Sequence, residues 1–185
     1  MSAMYRRIFQ VVLCALTVDS AHAAALEVSV QIPQLSVAEY HRPYVAMWIE
    51  RPDRSVVANL AVWYQQKRGG GSAEAAGAGA PEGGTKWLPD LRQWWRRSGR
   101  ALALPVDGVT GATRPVGTHV LRFVQGHPPL GELTPGRYRL LVEAVREEGG
   151  REVLELPFEW PVAAPTELKV DGQSELDSVK LSLAP

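Results

Sequence analysis

The chain has 185 residues, with 20 lysines and arginines against 20 aspartates and glutamates, 45% hydrophobic residues and a single cysteine. A formal charge of zero leaves no basic footprint for nucleic acid or for an anionic membrane surface. One cysteine excludes an internal disulfide framework and a thiolate-rich metal site.

Residues 1–23 read as a secretory signal peptide. Arg6 and Arg7 form the basic start, and an apolar run from Ile8 to Val18 follows, interrupted by Gln10. Ala21-His22-Ala23 supplies an A-x-A cleavage site. The apolar run is too short to span a bilayer. Cleavage near Ala23 removes Cys14 and His22. It also takes two of the 20 basic residues and one of the 20 acidic ones, for a formal charge of −1. The expected product is periplasmic, a single domain over 24–185, large enough to bury a core without disulfide support.

Strand signals dominate the rest. Residues 26–32 alternate apolar and polar side chains, the period of a half-buried strand. Residues 44–49 and 56–64 are strongly apolar runs. Residues 68–84 are rich in glycine and alanine with almost no bulk, which predicts a disordered insertion. After it, Asp90 fits a helix N-cap and Gly99 a C-terminal stop, with Leu91, Trp94 and Trp95 on one face and Arg92 and Arg96 on another flank. This predicts a short amphipathic helix. Residues 118–124 alternate again. Residues 138–145 follow the turn pair Pro135-Gly136, and 152–160 follow Gly149-Gly150. One or two weaker strands fit between 168 and 183, around Asp171-Gly172. Seven or eight short strands predict an all-β fold, a β-sandwich with immunoglobulin-like character.

Between the helix and the 118–124 strand lies Asp107-Gly108-Val109-Thr110-Gly111-Ala112-Thr113, a D-x-x-T-G-A-T string. Asp107-Gly108 is a turn signal, expected to keep the segment off a strand. Gly111 and Ala112 are small enough to let another protein approach. Asp107 is placed to accept hydrogen bonds from the loop's own N–H groups. Arg114 offers a charge for a phosphate, and Pro115 ends the loop. The plain alternative is a tight surface loop between strands.

The string resembles the acceptor motif of proteins that carry FMN covalently, through a phosphoester to the last threonine. In that resemblance Thr113 is the attachment point, and Asp107, Thr110, Gly111 and Ala112 form the recognition loop. Trp95 and Arg114 are the further flavin contacts expected. A threonine hydroxyl needs activation to act as a nucleophile, and no base stands beside Thr113 in sequence. The resemblance therefore implies that an FAD:protein FMN transferase supplies it.

The chain also resembles a family of predicted periplasmic proteins, domain of unknown function 2271. The matching blocks are 42–50 (RPYVAMWIE), 86–97 (KWLPDLRQWWRR), 107–114 (DGVTGATR) and 136–147 (GRYRLLVEAVRE), within residues 26–160. Residues 117–144 are similar to the immunoglobulin-like repeat of flagellar hook-capping proteins, which bears on fold and not on function. The family resemblance implies extracytosolic electron transfer alongside PepSY-type membrane reductases and FMN transferases, with ferric iron as one terminal acceptor. Such a protein is the substrate of an enzyme rather than an enzyme itself.

The remaining constellations carry less. Trp87, Trp94 and Trp95 suit either a flat aromatic ligand, with Arg96 or Arg97 on a phosphate, or the capping of one end of the sandwich. His41, His119 and His127 fit no metal-ligand spacing. No Ser/His/Asp arrangement or G-x-S-x-G string supports a hydrolase. The alternative to a flavin carrier is a cofactor-free immunoglobulin-like interaction or assembly module.

Overall fold

The computed structural model describes residues 24–66 and 84–185. The expected signal peptide over 1–23 lies outside the described residues, as does the expected insertion over 68–84 except for Gly84. Gly84 itself belongs to the fold. It is buried, and its N–H donates to the Gln65 carbonyl at 2.9 Å. A Cβ there would stand 2.8 Å from the same carbonyl oxygen, so only glycine fits.

The described residues form nine strands in two sheets. They are β1 (Ala25–Ile32), β2 (Tyr44–Glu50), β3 (Val56–Tyr64), β4 (Thr110–Ala112), β5 (Gly117–Val124), β6 (Gly136–Val145), β7 (Arg151–Trp160), β8 (Thr166–Asp171) and β9 (Ser178–Ala184). One sheet runs β5-β1-β9-β8 and the other β4-β3-β2-β6-β7. The expected all-β sandwich is the fold. Reading β1, β2, β3, β5, β6 and β7 as strands B, C, C′, E, F and G gives the immunoglobulin-like pairings, B with E and C with C′, F with C and G. Near the start of β6, the Tyr138 hydroxyl donates to the Thr134 carbonyl at 2.6 Å, the tyrosine corner of such sandwiches.

The two sheets differ in what their sequences had to satisfy. In β1, Leu26, Val28, Val30 and Ile32 point inward and alternate with more exposed residues. The five-stranded sheet is covered on both faces. Val45, Met47 and Ile49 of β2 enter the inter-sheet core, while Ala46 and Trp48 enter a second cluster on the outer face with Val62, Tyr64 and Leu141. That is why β2 and β3 read as unbroken apolar runs.

The outer cover is the segment from Gly84 to Val109. It begins with a 3-10 helix, Gly84–Asp90, and continues into α1, Arg92–Arg97. The expected helix ends just before Gly99, as predicted, and is corrected at its start. Leu91, not Asp90, is the N-cap, and no side chain of the cap residue bonds the helix. The cap comes from β6: Glu143, 0% exposed, accepts the N–H groups of Gln93 (3.1 Å) and Trp94 (2.7 Å) and pairs with Arg151 at 2.8 Å. Gly99 stands beyond the helix end because a Cβ there would lie 2.7 Å from the Trp94 ring. Leu91 and Trp94 are fully buried and Trp95 half-buried, the face predicted. The Trp94 indole N–H donates to Asn59 Oδ1 at 2.8 Å, so the ring enters the cluster with its polar atom satisfied.

The far edges of the sheets are tied by one carboxylate. Glu152 of β7 accepts four consecutive backbone N–H groups, from Gln173 to Leu176, in the link between β8 and β9. Partial burial raises its pKa, but the bonds from Leu176, Gln173, Ser174 and Glu175 outweigh that and hold the carboxyl below its ordinary range.

Candidate functional site

The D-x-x-T-G-A-T segment turns onto the edge of the five-stranded sheet, and its last residue begins the link to β5 at the edge of the other sheet. Asp107–Gly108 forms the expected turn, with Gly108 at φ 73°. The turn is closed by Thr110: its N–H donates to the Val106 carbonyl at 2.9 Å, and its Oγ1 accepts the Val106 N–H at 2.8 Å. Asp107 is exposed, and among the described residues its carboxylate takes no hydrogen bond, so the loop is stapled by Thr110 instead.

The expectation that the turn keeps this segment off a strand is corrected. Val109 plugs the outer cluster at 7% exposure, and its carbonyl accepts the Val62 N–H at 2.9 Å. Thr110, Gly111 and Ala112 then pair in parallel with Val62, Trp63 and Tyr64. The turn spans only Asp107 to Val109. Beyond it, the open edge of β3 offers backbone partners that the next three residues take.

Gly111 has a packing reason beyond access. A Cβ there would sit 3.1 Å from Cδ1 of Trp63 and 3.5 Å from its Nε1. Trp63 is 2% exposed and held from several sides. The Arg114 guanidinium lies 5.3 Å from its ring centre. The His119 ring meets it edge-on at 5.7 Å and 76°. His119 is itself fixed by its Nε2–H donating to the Pro115 carbonyl at 2.7 Å. Gln66 Nε2 donates to the Gly111 carbonyl at 3.3 Å.

Thr113 is the first residue after β4, on the link to β5, and is half-buried beside the exposed Ala112 and Arg114. Among the described residues its hydroxyl has no hydrogen-bond partner. Asp107, Thr110, Gly111, Ala112, Thr113 and Arg114 are thus one contiguous feature at the β4–β5 side of the sandwich.

Trp95 is not brought to that feature. Its ring lines a cleft with Arg92, Arg96 and Arg151. Arg151 starts β7, the edge of the sheet opposite β4, with β3, β2 and β6 between them. At about 4.8 Å per strand the two edges stand roughly 19 Å apart. The aromatic residue beside the loop is instead Trp63, with His119 and Gln66. The sequence singles out neither Trp63 nor Gln66, and His119 only as a rejected metal ligand, because nothing local announces that residues 110–112 pair with β3. The inward phase of Trp63 in an apolar run signals only core.

His41, half-buried, stands 3.4 Å from Glu39 and 3.8 Å from Glu147, remote in sequence from the motif. Among the described residues no helix is long and apolar enough to cross a membrane. No curated protein and no solved structure matches the chain. The model of one family matches residues 25–178, which takes in β1 to β8, the outer cover and the whole motif and stops at the start of β9. The chain therefore belongs to the family described as predicted periplasmic protein, domain of unknown function 2271.

Proposed function

We propose that this protein is an exported electron carrier bearing FMN covalently on Thr113. The observation that carries the reading is the Thr113 hydroxyl, unbonded among the described residues, in a D-x-x-T-G-A-T string on the link between two sheet edges. A free hydroxyl costs the fold nothing when it is esterified, and Ala112 leaves one side of it open. In the transfer, Thr113 Oγ1 attacks the FMN-side phosphorus of FAD. The pyrophosphate bond breaks, AMP leaves, and the hydroxyl proton goes to a base of the FAD:protein FMN transferase. The product is a phosphodiester whose remaining charge the neighbouring Arg114 guanidinium is placed to meet.

The flavin supplies the redox chemistry, and the chain holds and orients it. Arg114 is exposed and adjacent in sequence to the attachment point, and its contact with the Trp63 ring restricts the directions its guanidinium takes. The parallel pairing of β4 with β3 fixes the approach to Thr113 within two residues of a buried core position. A PepSY-type membrane reductase is the electron donor that family membership favours, with ferric iron a candidate acceptor.

The test is the intact mass of the mature protein after export with an FAD:protein FMN transferase. The expected result is a gain of one FMN less one water, mapped to Thr113 and absent from Thr113→Ala. An unmodified mass, with the transferase active on a control acceptor, overturns the reading and favours a cofactor-free interaction module. Attached flavin on Thr113→Ala rejects Thr113 as the site.

A further inference from the structure

Two clefts adjoin on the outer face of the five-stranded sheet, and Arg92 and Arg151 bound both of them. One, of ≈ 360 Å³, runs between the Gly84–Asp90 helix and the β6–β7 turn, with Trp87 and Tyr44 in its walls. The other, of ≈ 330 Å³, is walled by Pro89, Trp95 and Arg96. Each falls in the size range of small-molecule sites. Trp87 is 46% exposed, a large indole left in solvent at the rim.

The charges around Trp95 are unequal. Arg151 is matched by Glu143, whose carboxylate is already committed to the N–H groups of α1. Arg97 and Arg139 are matched by Glu50. Arg96 spends its Nε–H on the Arg92 carbonyl at 3.1 Å, and among the described residues neither Arg92 nor Arg96 has an acidic partner. Two guanidinium charges are therefore left uncompensated beside a half-buried indole. Asp90, Glu147 and Glu148 line only the other cleft, so repulsion keeps an anion on the Trp95 side.

We propose that this groove is a noncovalent binding site for a planar aromatic anion. The ring lies against Trp95, and the carboxylate or phosphate bridges Arg92 and Arg96, while Arg151, neutralised by Glu143, only walls the groove. Guanidinium forks match both oxyanions, and an indole favours a flat partner. The site stands at the opposite sheet edge from Thr113 and does not rest on flavin attachment there.

The probe is 1-naphthoate, titrated into the mature full-length chain while the tryptophan indole N–H resonances are followed. Uncharged 1-naphthamide is the comparison. The expected result is a saturable shift of the Trp95 signal with 1-naphthoate. Binding should weaken by about tenfold or more with 1-naphthamide, and again in the Arg92→Gln/Arg96→Gln double variant, because charge-assisted bonds are lost. Both arginines are exposed, so a near-ultraviolet circular dichroism spectrum like that of the unaltered protein is expected for the variant. Equal binding of the amide, unchanged affinity in the double variant, or no saturable shift at Trp95 each overturns the proposal.

Discussion

Replacing Glu143 should undo the attachment of α1 to the sheet. The side chain is 0% exposed, yet it carries a carboxylate made tolerable by three donors: Gln93 N–H, Trp94 N–H and Arg151. Glu143→Ala orphans two helix N–H groups, removes a charged pair and deletes buried methylenes. Arg151 is 38% exposed and rehydrates, so the pair counts for less than a wholly buried one. Loss of the cap alone costs ~1 kcal/mol, and the total comes to about 3 kcal/mol. For a domain of this size that is a fall in Tm of about 6–12 °C. Glu143→Gln keeps the shape and one acceptor and should cost about half as much. Urea unfolding followed by tryptophan fluorescence measures both. A double-mutant cycle with Arg151→Gln should return a coupling of about 1 kcal/mol. If both variants fall within about 0.5 kcal/mol of the unaltered protein, the carboxylate is not holding the helix. The same loss should abolish naphthoate binding, because α1 carries Arg92, Trp95 and Arg96.

Gly99→Ala puts a methyl 2.7 Å from the fully buried Trp94 ring and should destabilise by about 1–3 kcal/mol, read as a lower urea midpoint at constant m-value. Gly111→Val presses on Trp63, which Arg114 and His119 hemmed in, and should cost a similar amount. In timed co-expression with the transferase it should also slow FMN attachment, and unchanged stability and labelling would contradict the packing argument. Glu152 has a folded pKa below its unfolded one, so its contribution is present above the unfolded carboxylate range and is lost as pH falls through the folded pKa. Glu152→Gln should therefore lower stability at neutral pH and flatten the acid limb of the stability–pH curve. A parallel downward shift at all pH values would show that its charge is not what the four N–H groups bind.

What sequence reading recovered follows from where the information lies. Strands β1, β5, β6 and β7 announce themselves through local alternation and turn pairs, because each buries one face or meets a neighbour across a short link. The doubly covered sheet is visible too, in the unbroken apolar runs of β2 and β3. Features built from distant partners escaped. The cap of α1 comes from Glu143, 50 residues from Gln93 in sequence, so Asp90 was the nearer and wrong candidate. Gly99 looks like a helix stop but is small because a ring abuts it. Three residues of β4 pair in parallel with a strand that ended before the Gly84–Val109 cover began, and nothing within the motif encodes that.

The candidate site divides along the same line. Its contiguous part, Asp107 to Arg114, could be read directly, since a motif is local by construction. Its packing partners could not: Trp63 and His119 reach the loop only through the pairing of β4 with β3 and of β5 with β1. Of the aromatic and basic cluster that the sequence suggests from Trp87, Trp94 and Trp95 with Arg96 or Arg97, one cleft gathers Trp95 and Arg96, with Arg92 and Arg151, while Trp94 is buried and Trp87 lines the other cleft. The expected flavin contact of Trp95 does not reach Thr113, because α1 lies across the outer face while the chain returns to the β4 edge before reaching the motif. The cluster and the motif therefore require separate tests. Mass spectrometry decides attachment at Thr113, and titration at Trp95 decides occupancy of the arginine groove, and neither result predicts the other.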